Sequence, residues 1–288
     1  MLIANNCRCK TRDLIGVFKS LFYCFFFILF IYSIQVNATS INIVHSFSVE
    51  KSKIESDQNI TLRYLLPPRF ARVVTDGKAQ LDIQIKADKS KEQSFNGVFW
   101  SAAGLFDSSK TGAILSDKQV LVTLLNRLAN SQTDLDGFNV FSSDIEQLNR
   151  SVFASRIWLD VNYDAARIGP PNNPLLDGNF LLYLPPRPQY ISVFGATTGD
   201  NDIRWQPGIR LSDIINTAKP HTKLADRSYA TVISPNGQQK KVGIAYWNKQ
   251  ELFLAPGSAV YFNYRNISEN AEHLNSTFLT LLSNRVPL

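Results

Sequence analysis

The chain has 288 residues, with 30 Lys and Arg against 24 Asp and Glu, so its formal net charge is +6. The two signs are interspersed and form no basic stripe, which argues against nucleic-acid binding. The three cysteines, Cys7, Cys9 and Cys24, all lie near the N-terminus. A chain processed after this region would carry no cysteine, which excludes disulfides, cysteine-zinc sites and thiol chemistry.

The N-terminal segment has the pattern of a secretory signal peptide. A basic region that includes Arg8 and Arg12 precedes an apolar run at 21–34, and small residues follow up to Ala38. The apolar run is shorter than the roughly 20 residues of a transmembrane helix. We therefore predict a signal peptide over residues 1–38 and a periplasmic protein whose membrane contact is at most peripheral. An uncleaved anchor is the alternative.

Alternating hydropathy predicts strands in the first part of the exported chain. Apolar and polar residues alternate over 60–64 and again over 81–86. A period of two marks half-buried strands, so residues 41–87 are predicted to be β-structure.

The next section has a helical period. Apolar residues recur with helical spacing from Leu121 to Leu128, and Ser116 is a candidate N-cap. Ser143 and Glu146 then have the spacing of a capping box. We expect these helices to cross over or cover the first sheet.

A proline-rich segment at 185–188 predicts a boundary between two domains. After it a strand ends at Gly195, a Pro-Gly turn leads into a short helix, and a hairpin turns at 235–237. This order is typical of a β-grasp module. The predicted divisions are a signal peptide at 1–38, a first domain at 39–187, a second domain at 188–265 and a C-terminal amphipathic helix at 266–288.

Several strings in the second half of the chain are distinctive. They are DRSYATVISPNG at 226–237, VGIAYWNK at 242–249, APGSAVY at 255–261, LLSNRVP at 281–287, LDGNFLLY at 176–183 and SVFG at 192–195. In these strings the chain resembles the GfcC-like proteins of capsule and exopolysaccharide biosynthesis. The resemblance is specific from Arg156 to the C-terminus. Before that, FWSAA at 99–103 replaces a Trp-Trp-Pro-Gly stretch of the family.

The resemblance implies an α+β fold. Its two β-grasp (ubiquitin-like) domains would have a helical insertion in the first and a closing C-terminal amphipathic helix. Such domains are related to the periplasmic rings of outer-membrane polysaccharide export channels. The implied function is that of a non-enzymatic periplasmic accessory protein for assembly or export of a capsule-like extracellular polysaccharide. Its partners would be the export machinery or the polysaccharide itself, and it would need no cofactor or metal.

Two alternatives of other classes remain open. The first is a polysaccharide-modifying, glycosidase-like enzyme, which needs two carboxyl groups across the sugar bond. Aspartates close in sequence occur at 134 and 136, 160 and 164, and 200 and 202. The second is a stand-alone carbohydrate-binding module that uses tryptophan side chains. No phosphate-binding loop or dinucleotide fingerprint is present, and the three histidines have neither metal nor triad spacing.

The candidate interaction residues are polar or aromatic side chains in the second half and the apolar stripe of the tail helix. Arg156 is interpreted as a buried structural residue paired with carboxylates and carbonyls, or as a group that recognises an acidic sugar. Trp205 and Trp247 are interpreted as core or rim residues, or as sugar-stacking surfaces. Leu274 and Phe278 would either pack on their own domain or dock a partner or membrane surface.

Overall fold

The part of the chain that the computed structural model describes comprises residues 38–44, 47–50, 53–56, 60–87, 95–161, 164 and 172–287. The predicted signal peptide, apart from Ala38, lies outside these residues. Within them, no helix combines the length and the apolar character needed to cross a membrane.

The first half of the chain forms strands and helices that we number in chain order. They are β1 (Thr39–Val44), β2 (Phe47–Glu50), β3 (Lys53–Ser56), β4 (Ile60–Tyr64), α1 (Phe70–Ala87), β5 (Gly104–Asp107), α2 (Thr111–Asn130), α3 (Leu135–Arg150), β6 (Val152–Phe153), β7 (Ser155–Ile157) and β8 (Asn179–Tyr183). Five of them build one sheet in the order β4-β1-β8-β5-β7. Strands β1 and β8 run parallel, and the other neighbours are antiparallel.

The second half forms another sheet, followed by the tail helix. Its elements are β9 (Tyr190–Gly195), β10 (Asp202–Arg204), α4 (Leu211–Ala218), β11 (Tyr229–Ile233), β12 (Gln239–Gly243), β13 (Ala259–Phe262), α5 (Ala271–Ser283) and β14 (Arg285–Val286). The sheet order is β10-β9-β13-β11-β12, with β9 parallel to β13 and the other neighbours antiparallel.

The two sheets share one topology. When the five strands of each sheet are numbered in chain order, both sheets read 2-1-5-3-4. In both, a helix follows the second strand: α1 in the first sheet and α4 in the second. The predicted mixture of helices and sheets is thus confirmed.

Helix α1 corrects the strand predicted over residues 81–86. Val73, Gly77, Leu81 and Ile85 are all buried and follow one another at intervals of four, whereas Ile83 is 62% exposed. This spacing places the buried residues on one helical face, which packs on the first sheet. The alternation over 81–86 therefore coincides with part of a helical stripe, because a window of six residues does not separate the two periods.

The helical insertion, α2 and α3, lies between β5 and β7 in sequence but packs on the second sheet. Leu125 and Phe141 belong to the same apolar cluster as Phe194 on β9 and Tyr261 on β13. The expectation that these helices cover the first sheet is therefore wrong. Their apolar faces pack on a sheet whose strands follow them in the sequence.

The predicted helix starts are also corrected. Ser116 and Ser143 lie inside α2 and α3, respectively. The N-cap of α3 is Asp134, whose carboxylate accepts a 2.7 Å hydrogen bond from the backbone N–H of Gly137. Asp134 was considered as half of a carboxylate pair, and its position shows a capping role.

Candidate functional site

Arg156 lies on β7 at the place where the first sheet meets the tail and the second sheet. Its guanidinium donates to the carbonyl oxygens of Ser283 at 3.1 Å, Arg285 at 2.9 Å and Pro235 at 3.3 Å. It also stands over the ring of Phe106, 4.7 Å from the centroid. One side chain thus joins β7 to the hairpin turn of the second sheet and to the C-terminal segment.

Burial, together with the positive charge of Arg285, lowers the pKa of the Arg156 guanidinium to about 10. The side chain keeps its charge at neutral pH, although it is only 7% exposed. Its hydrogen bonds all go to carbonyl oxygens, and within the described chain no carboxylate forms an ion pair with it. The predicted pairing with carboxylates is therefore wrong, whereas the predicted pairing with carbonyls is present.

A cleft of about 430 Å³ opens beside Arg156, between the segment that follows β7 and the hairpin turn of the second sheet. We call it the tryptophan cleft. The side chains that give it its character are Trp100, Arg156, Trp158, Asp160, Asn236 and Gln238. Its volume lies within the range of about 300–1,000 Å³ that is typical of ligand sites.

Trp205 lies next to the proline-rich segment at 185–188. Its Nε1–H donates a 2.8 Å hydrogen bond to the carbonyl oxygen of Leu254. The guanidinium of Arg187 covers its ring at 4.3 Å and also stands 5.7 Å from the ring centroid of Phe99. Arg187 thereby bridges an aromatic residue of the first half and one of the second. Trp205 is thus held by a backbone carbonyl and by a cation over its ring.

Trp247 lies on the surface and not in the core. It is 77% exposed, and the neighbouring Tyr246 is 98% exposed. Their loop is held by Asn248, whose Oδ1 accepts from the N–H of Ala245 and whose Nδ2 donates to the carbonyl of Ser228. The loop thus presents two adjacent aromatic side chains to solvent.

Leu274 and Phe278 are core residues in this structure. Both are fully buried in the cluster that α5 shares with the helical insertion. The Phe278 ring packs on the ring of Tyr261 with centroids 4.9 Å apart. The apolar stripe of the tail helix is therefore covered by its own chain and does not form an exposed docking surface.

Asp144 on α3 was not identified from sequence as a site residue. Its carboxylate is buried, accepts from the backbone N–H of Gly195 at 2.9 and 3.0 Å, and accepts from the hydroxyl of Tyr264 at 2.8 Å. Burial raises its pKa, the hydrogen bonds from Gly195 and Tyr264 counteract part of that rise, and the net pKa is about 7. The sequence contains one indication that Asp144 is buried. It lies four residues from Val140 and four from Leu148, on the apolar face of the helix.

Three aspartates of the candidate carboxylate pairs line separate clefts. Asp160 lines the tryptophan cleft, Asp202 lines a second cleft of about 290 Å³, and Asp136 lines a third of about 170 Å³. Among the described residues, one carboxylate lines each of these three clefts. The described residues include no group of three or more His, Cys, Asp or Glu side chains arranged to hold a metal ion.

Comparison with known proteins identifies similarity in both halves of the chain. Residues 72–187 match the family model "Capsule biosynthesis GfcC, N-terminal", and residues 200–287 match "Capsule biosynthesis GfcC C-terminal". A curated relative, "Uncharacterized protein YjbG" of Escherichia coli (strain K12), is 30% identical over 195 residues. The similarity covers 66% of this chain and 77% of the relative.

Proposed function

Because the chain belongs to the GfcC family of capsule biosynthesis proteins, we propose that it is a non-enzymatic periplasmic accessory protein for assembly or export of a capsule-like polysaccharide. This membership confirms the resemblance noted in the sequence. The observation that carries the proposal is the match of both halves to the two capsule biosynthesis models. The basic and apolar N-terminal pattern supports the periplasmic location.

We further propose that each five-stranded sheet, with its helix, is a β-grasp domain. The support is the strand order 2-1-5-3-4 in both sheets, together with the helix that follows the second strand of each. On this proposal α2 and α3 are the insertion in the first domain, and α5 closes the second. The partner would be the outer-membrane polysaccharide export machinery or the polymer itself.

The distribution of carboxylates supports a role without catalysis. Glycosidases need two carboxyl groups about 5–10 Å apart across one sugar bond. In the part of the chain that the structure describes, the clefts around Asp136, Asp160 and Asp202 each supply one carboxyl group. On this proposal the chain contributes to polysaccharide assembly by binding and positioning its partner, and it cleaves no sugar bond.

Deletion of the gene in its host bacterium tests the proposed role. Surface and secreted polysaccharide are measured with and without complementation by the wild-type gene. We expect surface polymer to be lost on deletion and restored by complementation. Unchanged polymer would show that the proposed role is wrong.

A second complementation separates accessory function from catalysis. The variant carries Asp164→Asn, Asp200→Asn and Asp202→Asn, which keep side-chain size and remove at least one carboxylate from each of the pairs at 160 and 164 and at 200 and 202. We expect it to restore polymer as well as the wild type does at equal protein abundance. A folded variant that fails to restore polymer would favour an enzyme.

The periplasmic location is tested separately. Cell fractionation tests whether the wild-type protein is periplasmic, and N-terminal sequencing tests its cleavage after Ala38.

A further inference from the structure

The tryptophan cleft combines an exposed aromatic ring with hydrogen-bonding side chains. Trp158 is 59% exposed, although it is the kind of side chain that folding usually buries. Its ring edge meets the hairpin turn at Gly237, where an added Cβ would lie 3.0 Å from Trp158 Cη2. The turn therefore supports the ring from one side while the rest of its surface stays open to solvent.

The polar side chains around this ring match a hydroxyl-rich ligand. Asn236 and Gln238 are exposed amides on the turn, and Asp160 is an exposed carboxylate two residues after Trp158. The amides can both donate and accept, and the carboxylate accepts. The hydroxyl groups of a sugar likewise both donate and accept, so this set can bind several of them at once.

The charges of the cleft favour a saccharide over a polyanion. Arg156 and Asp160 are the charged residues among the described side chains that line it, and their charges are opposite. Arg156 is already engaged with three carbonyl oxygens at the base of the cleft. A phosphate-rich ligand would instead require several free cationic groups.

We propose that the tryptophan cleft binds a saccharide unit of the polymer, with Trp158 stacked on a sugar ring and Asp160, Asn236 and Gln238 bonded to its hydroxyls. The inference rests on the proposed role in polysaccharide assembly, and it names the ligand class and the site. Trp100 is a second tryptophan that lines the cleft.

Calorimetric titration of the purified protein tests this proposal. The probe is a size series of short oligosaccharides released from the host's own surface polysaccharide. We expect wild type to bind, Trp158→Ala to lose at least about tenfold in affinity, and Trp158→Phe to retain most of it. Phe253→Ala is the matched control, because Phe253 is 70% exposed and lies outside the cleft. It should bind like wild type.

Three results would overturn the proposal. They are no binding by wild type, equal affinity of Trp158→Ala and wild type, and loss of binding in Trp247→Ala instead, which would assign the ligand to the exposed loop. Circular dichroism establishes that each variant is folded. If deletion of the gene abolishes surface polymer while Trp158→Ala restores it fully, the accessory role stands and the saccharide site is wrong.

Discussion

The hydroxyl of Tyr264 donates a 2.8 Å hydrogen bond to the carboxylate of Asp144, across 120 residues of sequence. The same carboxylate accepts from the N–H of Gly195 at the end of β9. The rings of Phe141 and Tyr264 stack beside it with centroids 5.0 Å apart. A polar contact in an apolar cluster thus holds the helical insertion on the second sheet.

Asp144 is expected to make stability depend on pH. Its pKa is raised from 3.8 to about 7 in the folded protein, so the folded state takes up a proton more readily than the unfolded chain. The resulting stability is present below pH 3.8 and is lost as pH rises through about 7. The free energy of unfolding should fall by on the order of 1.4 kcal/mol per pH unit within that window.

Urea unfolding from about pH 5 to about pH 8 measures this slope in wild type and in Asp144→Asn. The variant keeps an acceptor oxygen for both donors but has no titrating proton, so its slope should be flatter. Asp177→Asn, at an exposed aspartate, serves as the control and should follow wild type. Equal slopes in Asp144→Asn and wild type would show that Asp144 does not cause the pH dependence of the unfolding free energy.

Arg156 is expected to stabilise the junction of the two halves. Arg156→Met removes the donors to Pro235, Ser283 and Arg285 and leaves buried carbonyl oxygens without partners. Each of the three groups costs about 1–3 kcal/mol, so we expect a loss of roughly 3–9 kcal/mol in unfolding free energy. Denaturant titration measures it. Arg204→Met, at an exposed arginine, should change stability by less than about 0.5 kcal/mol. Equal stability of Arg156→Met and wild type would refute the structural role.

Gly195 is expected to tolerate no side chain. It has φ of +92°, and an added Cβ would overlap the carbonyl oxygen of Phe262 on the parallel neighbour β13. Gly97 is a matched control, since its φ is +90° and a Cβ there would meet no atom within 4 Å. Gly97→Ala should cost about 1–2 kcal/mol from backbone conformation alone. Gly195→Ala should cost more or prevent folding, as shown by thermal unfolding. Similar costs at the two positions would contradict the close approach.

Phe278 is expected to hold the tail helix on the molecule. Its side chain is fully buried against Tyr261, so Phe278→Ala should lower unfolding free energy by about 3–5 kcal/mol. Glu272→Ala, on the exposed face of the same helix, should have little effect. Hydrogen exchange of α5 in wild type gives an independent measure. If the amides of α5 exchanged rapidly and Phe278→Ala were as stable as wild type, the helix would be released in solution.

Local patterns in the sequence were sufficient to predict some helices and strands and insufficient to predict others. The hairpin around 235–237 and the tail helix follow from turn residues and from one apolar stripe, which depend on neighbours in sequence. The prediction of a strand at 81–86 is wrong because these six residues fit both a strand period and a helix period. The segment is helical because its buried face packs on the first sheet. The N-cap of helix α3 is Asp134 and not Ser143, because the apolar face of the helix already includes Val140.

The sequence by itself determined the mixture of helices and sheets, the family of the chain and the absence of cysteine beyond Cys24, because these depend on composition and local pattern. Only the tertiary structure decided which partners the buried polar groups have. Arg156 binds carbonyls that lie 79 to 129 residues away, and Asp144 meets Tyr264 across 120 residues. Such contacts form when whole elements pack, and no local pattern encodes them, since the desolvated group takes whichever partner the packing supplies.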